Sequence, residues 1–152
     1  MNNIEVKIRY VSEKIGNDIN PPFYATPGSA GMDLAACIDE PITLEVGQSV
    51  IIPTGIAIQL PSSYYVAFVF ARSGLGIKHG ITLSNGVGVI DSDYTGEIKC
   101  GLVNHGSQSY TIQPGDRIAQ IVFMPIAMAS LIHTDNFEDT GRGAGGFGST
   151  GS

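Results

Sequence analysis

Charge is scarce in this chain: Asp, Glu, Lys and Arg make up 14% of its 152 residues, against about 25% in an average protein. So small a share excludes a disordered polyelectrolyte and a charged coiled coil. The eight Lys and Arg residues form no run and the formal charge is -6, so the basic patch that a nucleic-acid partner requires is missing. There are only two cysteines, Cys37 and Cys100, with no CxxC or Cys/His ligand spacing. That argues against a structural zinc or a disulfide framework, and for small buried hydrophobes in a reducing compartment. The longest apolar run, Ile121 to Ile132, contains Pro125 and is too short to span a bilayer. The N-terminal MNNIEVKIRY has no apolar stretch of the kind a secretory signal needs. A cytoplasmic protein is expected, with neither nucleic acid nor membrane as partner.

What is present points to strands. The chain has 19 Ile, 10 Val and 9 Thr against 7 Leu, with 20 Gly and 8 Pro to interrupt helices. Its length suits one all-β domain. Ile4, Val6, Ile8 and Tyr10 alternate with Glu5, Lys7 and Arg9, the period of a half-buried strand. Further strand-like runs begin at Ile42, Ser49, Tyr64, Glu97, Ser109 and Arg117, and Gly, Pro, Asn or Asp separates them. No segment holds a helical period over three turns, so a sandwich, jelly roll or small barrel is expected. After Asn136 the composition changes: six of the twelve residues from Gly141 to Ser152 are glycine. The expected division is a β body over residues 1–136 and a C-terminal arm over 137–152, either a frayed tail or a segment that closes over a ligand. Arg142, Phe147, Ser149 and Thr150 within it are parts suited to holding a base and a phosphate.

Five segments carry candidate chemistry. GRGAGG, residues 141–146, matches the dinucleotide fingerprint by letter, but the chain ends too soon for the helix that must follow. GAGGFGST, residues 143–150, lacks the lysine of a P-loop. In ARSGLGIKHG, residues 71–80, Arg72, Ser73 and Gly74 sit where an apolar strand turns out of its sheet, as a surface turn or as a phosphate-holding loop. His79 stands alone, as a structural histidine would. In NGVGVIDSDYTGEIKC, residues 85–100, Asp91 and Asp93 would share one face of a strand, or a hairpin presents Asp91 alone with Asp93 as a turn former. Asp33, in PGSAGMDLAA, is either a turn residue or a functional carboxylate.

Taken in order and spacing, residues 27–36, 71–80, 85–98, 115–123 and 141–151 closely resemble the five motifs of the homotrimeric dUTP diphosphatases. The resemblance covers essentially the whole chain. It implies a jelly-roll-like β-barrel subunit, a homotrimer with shared sites, and Mg²⁺-assisted hydrolysis of dUTP to dUMP and pyrophosphate. Such an enzyme keeps uracil out of DNA and supplies dUMP for thymidylate synthesis. By motif position Asp91 is the general base that activates water for in-line attack on the α-phosphorus. Arg72, Ser73, Gly74 and Gln120 hold the phosphate chain, and Asp33 touches metal-bound water. Tyr94 stacks on the deoxyribose and leaves no room for a 2′-hydroxyl. Asn85, with backbone near Val89, Ile90 and Lys99, takes the uracil. In the arm, Arg142 reaches the γ-phosphate while Phe147, Gly148 and Ser149 cover the nucleotide. The alternatives are a dCTP deaminase-like enzyme of the same fold, expected to carry a glutamate base, and a non-catalytic β-trimer, which has no need of Asp91, Tyr94, Arg142 and Phe147 together.

Overall fold

The computed structural model describes residues 3–146. Ten strands and one helix follow in the order β1 (Lys7–Tyr10), β2 (Met32–Ala35), β3 (Ile42–Leu44), β4 (Ser49–Gln59), β5 (Tyr65–Ala71), α1 (Ser73–His79), β6 (Ile81–Leu83), β7 (Gly88–Ile90), β8 (Glu97–Asn104), β9 (Tyr110–Ile112) and β10 (Arg117–Pro125). Two four-stranded antiparallel sheets, β1-β4-β8-β6 and β2-β10-β5-β7, form the body, and β3 and β9 make a separate ribbon. Each ladder has two ends, so the sheets do not close into a barrel. No helix among the described residues is long and apolar enough to cross a membrane.

The two sheets pack through the residues that strand alternation sends inward. Ile98, Cys100 and Leu102 of β8 are buried, while Glu97, Lys99 and Gly101 between them are less so. Ile52 and Ile56 of β4, Ala67 and Val69 of β5, and Ile118, Ala119 and Ile121 of β10 complete the interior. Each such isoleucine or leucine withdrawn from water contributes about 1.5–3 kcal/mol. The polar groups taken inside are satisfied: Thr54 Oγ1 donates to Ile98 O at 2.6 Å, and Asn104 Nδ2 donates to Leu44 O and Gln108 O.

Three local expectations are corrected. The N-terminal alternation gives a strand only over Lys7–Tyr10, an edge strand that pairs with β4 alone, and all four of its residues are exposed. The stretch after β5 is a seven-residue helix rather than a plain turn. It is too short for a helical period to show, and it is ended by Gly80 at φ +72. Finally, β7 pairs with β5 while β8 pairs with β4 and β6. Residues 91–96 therefore cross from one sheet to the other instead of closing a hairpin. The last strand ends at Pro125, well ahead of Asn136.

Candidate active site

The crossing between β7 and β8 opens a cleft of about 290 Å³. Its lining includes Asn85, Val89, Ile90, Asp91, Tyr94 and Lys99, all singled out from sequence. Asp91 follows the last residue of β7 and is exposed, and its carbonyl accepts from Tyr94 N at 3.1 Å, which makes the turn. Asp93 is not among the lining residues, in keeping with a turn former. Tyr94 is 47% exposed, and its hydroxyl donates to Glu97 O at 2.8 Å. Its ring folds back over Gly96, where a Cβ would stand 2.7 Å from the hydroxyl and 2.8 Å from Cζ. Any larger residue at 96 would push the ring out of its present place.

Residues not singled out one by one from the sequence complete the cleft. Val69 and Leu83 come from β5 and β6, and Glu97 opens β8. Glu97 Oε1 accepts from Gly55 N at 3.0 Å, and its Oε2 lies 3.8 Å from Lys99 Nζ. A carboxylate thereby ties the cleft rim to a left-handed glycine of β4, at φ +71, where a Cβ would stand 2.7 Å from Cys37 Sγ. Cys100 also lines the cleft, but burial pushes its thiol up to about 12. At neutral pH it is a small hydrophobe and not a nucleophile.

A second cluster forms on the β2-β10-β5 face. Asp33 Oδ1 accepts from Arg72 Nε at 2.8 Å, and Asp33 Oδ2 accepts from Arg117 Nη1 at 3.0 Å. Arg72 Nη1 also donates to Arg117 O at 3.2 Å. The Asp33 side chain is only 14% exposed, so two arginines hold one largely buried carboxylate and are held by it. Gln120 stands opposite both Asp33 and Phe70 in the ladders, and its Nε2 donates to Ala71 O at 3.0 Å. Ser73 and Gly74 are exposed at the start of α1, next to Arg72. Arg117 lies inside the segment 115–123 but is not among the residues singled out there, and it meets Asp33 only through the β2-β10 ladder.

The chain does not bring these two clusters together. In the β5-β7 ladder Ile90 pairs with Ala67, so Asp91 lies near the level of Val66. Arg72 lies past the far end of the same strand. Six residues at 3.3 Å each separate the two levels by about 20 Å. Arg142 joins neither cluster, since its Nε donates to Gly145 O at 2.9 Å within its own exposed turn. Phe147, Gly148 and Ser149 lie outside the described residues.

Among the described residues no three His, Cys, Asp or Glu side chains are placed to hold a metal. The donor set nonetheless fits a hard cation carried by substrate phosphates: Asp33 is an oxygen donor whose remaining lone pairs can accept from a metal-bound water.

A family model described as dUTPase matches residues 17–151. A protein of Desulfitobacterium hafniense named deoxyuridine 5'-triphosphate nucleotidohydrolase is 54% identical over 151 residues, covering 99% of each chain. One of the same name from Idiomarina loihiensis is 52% identical over the same share. Among solved structures, the dUTPase of Staphylococcus bacteriophage 80alpha with dUPNHPP matches with a TM-score of 0.84 at 26% identity, covering all of both chains.

Proposed function

The chain belongs to the dUTPase family, and from this premise we propose that it builds each of its dUTP-hydrolysing sites from more than one copy of itself. The enzyme hydrolyses dUTP to dUMP. The observation that carries the composite site is the separation of about 20 Å along β5 between the levels of Asp91 and Arg72. A group that activates water at the α-phosphorus must lie within hydrogen-bond reach of that water, and so close to the phosphate chain. One chain cannot supply both. A second copy bringing its Arg72 cluster to the first copy's cleft satisfies the requirement, and a closed ring of three such contacts makes a homotrimer of jelly-roll-like subunits. Val89, at 61% exposure, is an apolar side chain that such contacts would cover.

In this site the Asp91 carboxylate accepts a hydrogen bond from water, takes its proton and aims its oxygen at the α-phosphorus opposite the leaving diphosphate. Arg72, Ser73, Gly74 and Gln120 of a neighbouring copy hold the phosphates, with Arg117 beside them. The carboxylate of Asp33 keeps both guanidiniums in register while the unused N–H groups face substrate oxygens. Mg²⁺, when bound through the phosphates, supplies charge neutralisation, and Asp33 is the residue that would accept from its water shell. Asn85 and the backbone beside Val89, Ile90 and Lys99 receive the uracil edge in the cleft. The arm, residues 137–152, carries Arg142 to the γ-phosphate and Phe147, Gly148 and Ser149 over the nucleotide, excluding water. The reading puts the enzyme in the cytoplasm, where its free thiols stay reduced.

Sugar selection falls to Tyr94, whose ring is pinned between Gly96 and the Glu97 carbonyl. Incubation with dUTP, dCTP and UTP plus Mg²⁺ should give dUMP and diphosphate from dUTP, with the other two nucleotides cleaved far more slowly. Tyr94→Ala should narrow the preference for dUTP over UTP by about tenfold or more, since a lost steric and stacking contact is worth about 1–3 kcal/mol. An unchanged ratio of specificity constants would remove Tyr94 from that role, and release of ammonia from dCTP would replace the hydrolase reading with a deaminase.

A further inference from the structure

A polar cleft of about 370 Å³ lies between the C-terminal end of α1 and the connection from β8 to β9, at the other end of the helix from Ser73 and Gly74. Lys78 and His79 line it from the helix, and His105, Ser107 and Ser109 from the connection, with Tyr110 of β9 at one side. The chain has only eight Lys and Arg and three His, at a net charge of -6. Three of those eleven basic side chains nevertheless meet here, and no carboxylate is among the described residues that line the cleft.

The walls are built rather than incidental. A Cβ at Gly80 would stand 2.2 Å from Gly106 N, and one at Gly106 would stand 2.4 Å from His79 O, so both positions admit only glycine. His105 N donates to Gly80 O at 2.9 Å, and the buried Asn104 side chain accepts from Gly106 N while donating to Gln108 O. These contacts lock the connection to the helix end. The His79 ring lies against the Tyr110 ring at a centroid distance of 4.8 Å. Burial first, then the nearby Asp116, raises the Tyr110 pKa against the opposing charge of Arg72, so its hydroxyl remains a donor. Asp116 itself accepts from Gln113 N, within its own turn. Interaction with helix C-terminal carbonyls accounts for Lys78 and His79, but not for His105, Ser107 and Ser109, which come from a separate segment.

We infer that this cleft is a second binding site, for a phosphate-type anion: one lysine, two histidines and three hydroxyl-bearing residues line a space large enough for a tetrahedral oxyanion with water. A carboxylate ligand would use two oxygens and leave several of these donors without an acceptor, whereas a phosphate offers an acceptor in each direction. Free phosphate, free diphosphate and the phosphate end of a larger ester share this chemistry.

With His79, His105 and His133 the only histidines, imidazole NMR signals of the full-length protein can be followed one by one. Phosphate, diphosphate and a short 5′-phosphorylated oligonucleotide are titrated separately, without Mg²⁺, at constant pH and at an ionic strength held with chloride. The His79 and His105 signals should shift together and saturate, and His133, which pairs with Asp135 at 3.3 Å far along the chain, should stay still. Saturation with the first two probes alone assigns a free anion, and with all three a phosphate terminus. K78Q and H105Q should each weaken binding by about fivefold or more while dUTP hydrolysis stays within about twofold of the unsubstituted protein. Shifts that chloride reproduces, that His133 shares, or that both variants leave unchanged would overturn the site.

Discussion

Asp91→Asn is expected to lower dUTP turnover by about 10² to 10⁴-fold, or roughly 3–5 kcal/mol of barrier, with little change in nucleotide binding. The amide keeps the size and most of the hydrogen bonding of the carboxylate but takes no proton, so only the activation of water is lost. Asp91 is exposed at the end of β7, and its backbone, not its side chain, makes the turn to Tyr94. The fold and the assembly should therefore survive. Thermal unfolding and dUTP binding measured beside single-turnover kinetics separate these effects. Turnover within a few-fold of the unsubstituted enzyme would take the base out of the account.

Arg72→Gln should show the complementary defect, a large rise in KM and a fall in kcat/KM of about a hundredfold or more. Each charge-assisted hydrogen bond to phosphate is worth about 1.5–3 kcal/mol, and the guanidinium supplies more than one. Loss of structure does not explain such a defect, because Arg117 continues to neutralise Asp33 through Oδ2 when Arg72 is gone. Retained trimer mass and an unfolding temperature within a few degrees accompany the defect in this account. An unaltered KM would mean that the Asp33 cluster does not bind phosphate.

How much of this was legible in the sequence depends on the residue. The strand runs from Ser49, Glu97 and Arg117 stand out because β-branched and other apolar residues crowd between turn formers, and the strands β4, β8 and β10 begin at those residues. The ends of β7 and β8 looked like one hairpin because residues 91–96 carry turn chemistry. Sequence does not say which partner a three-residue strand takes, and β7 went to β5. The cleft gathers Asn85, Asp91, Tyr94 and Lys99, which are close in sequence and were read as one motif. Val69 and Leu83 are members by packing alone. Arg117 was overlooked for the same reason: its partner, Asp33, lies 84 residues away, and only the β2-β10 ladder joins them.

The central claim is that Asp91 and Arg72 act together only across copies, and mixed oligomers test it most directly. Asp91→Asn and Arg72→Gln chains carrying different tags are coexpressed, and trimers containing both are isolated through both tags and checked by mass. Each variant alone has three defective sites. In any mixed trimer with a cyclic arrangement, one junction joins an intact Arg72 to an intact Asp91, so activity should return to about a third of that of the unsubstituted enzyme. Mixed trimers that hydrolyse dUTP no faster than the two separate variants would show that each chain's Asp91 depends on its own Arg72, and would contradict the composite site.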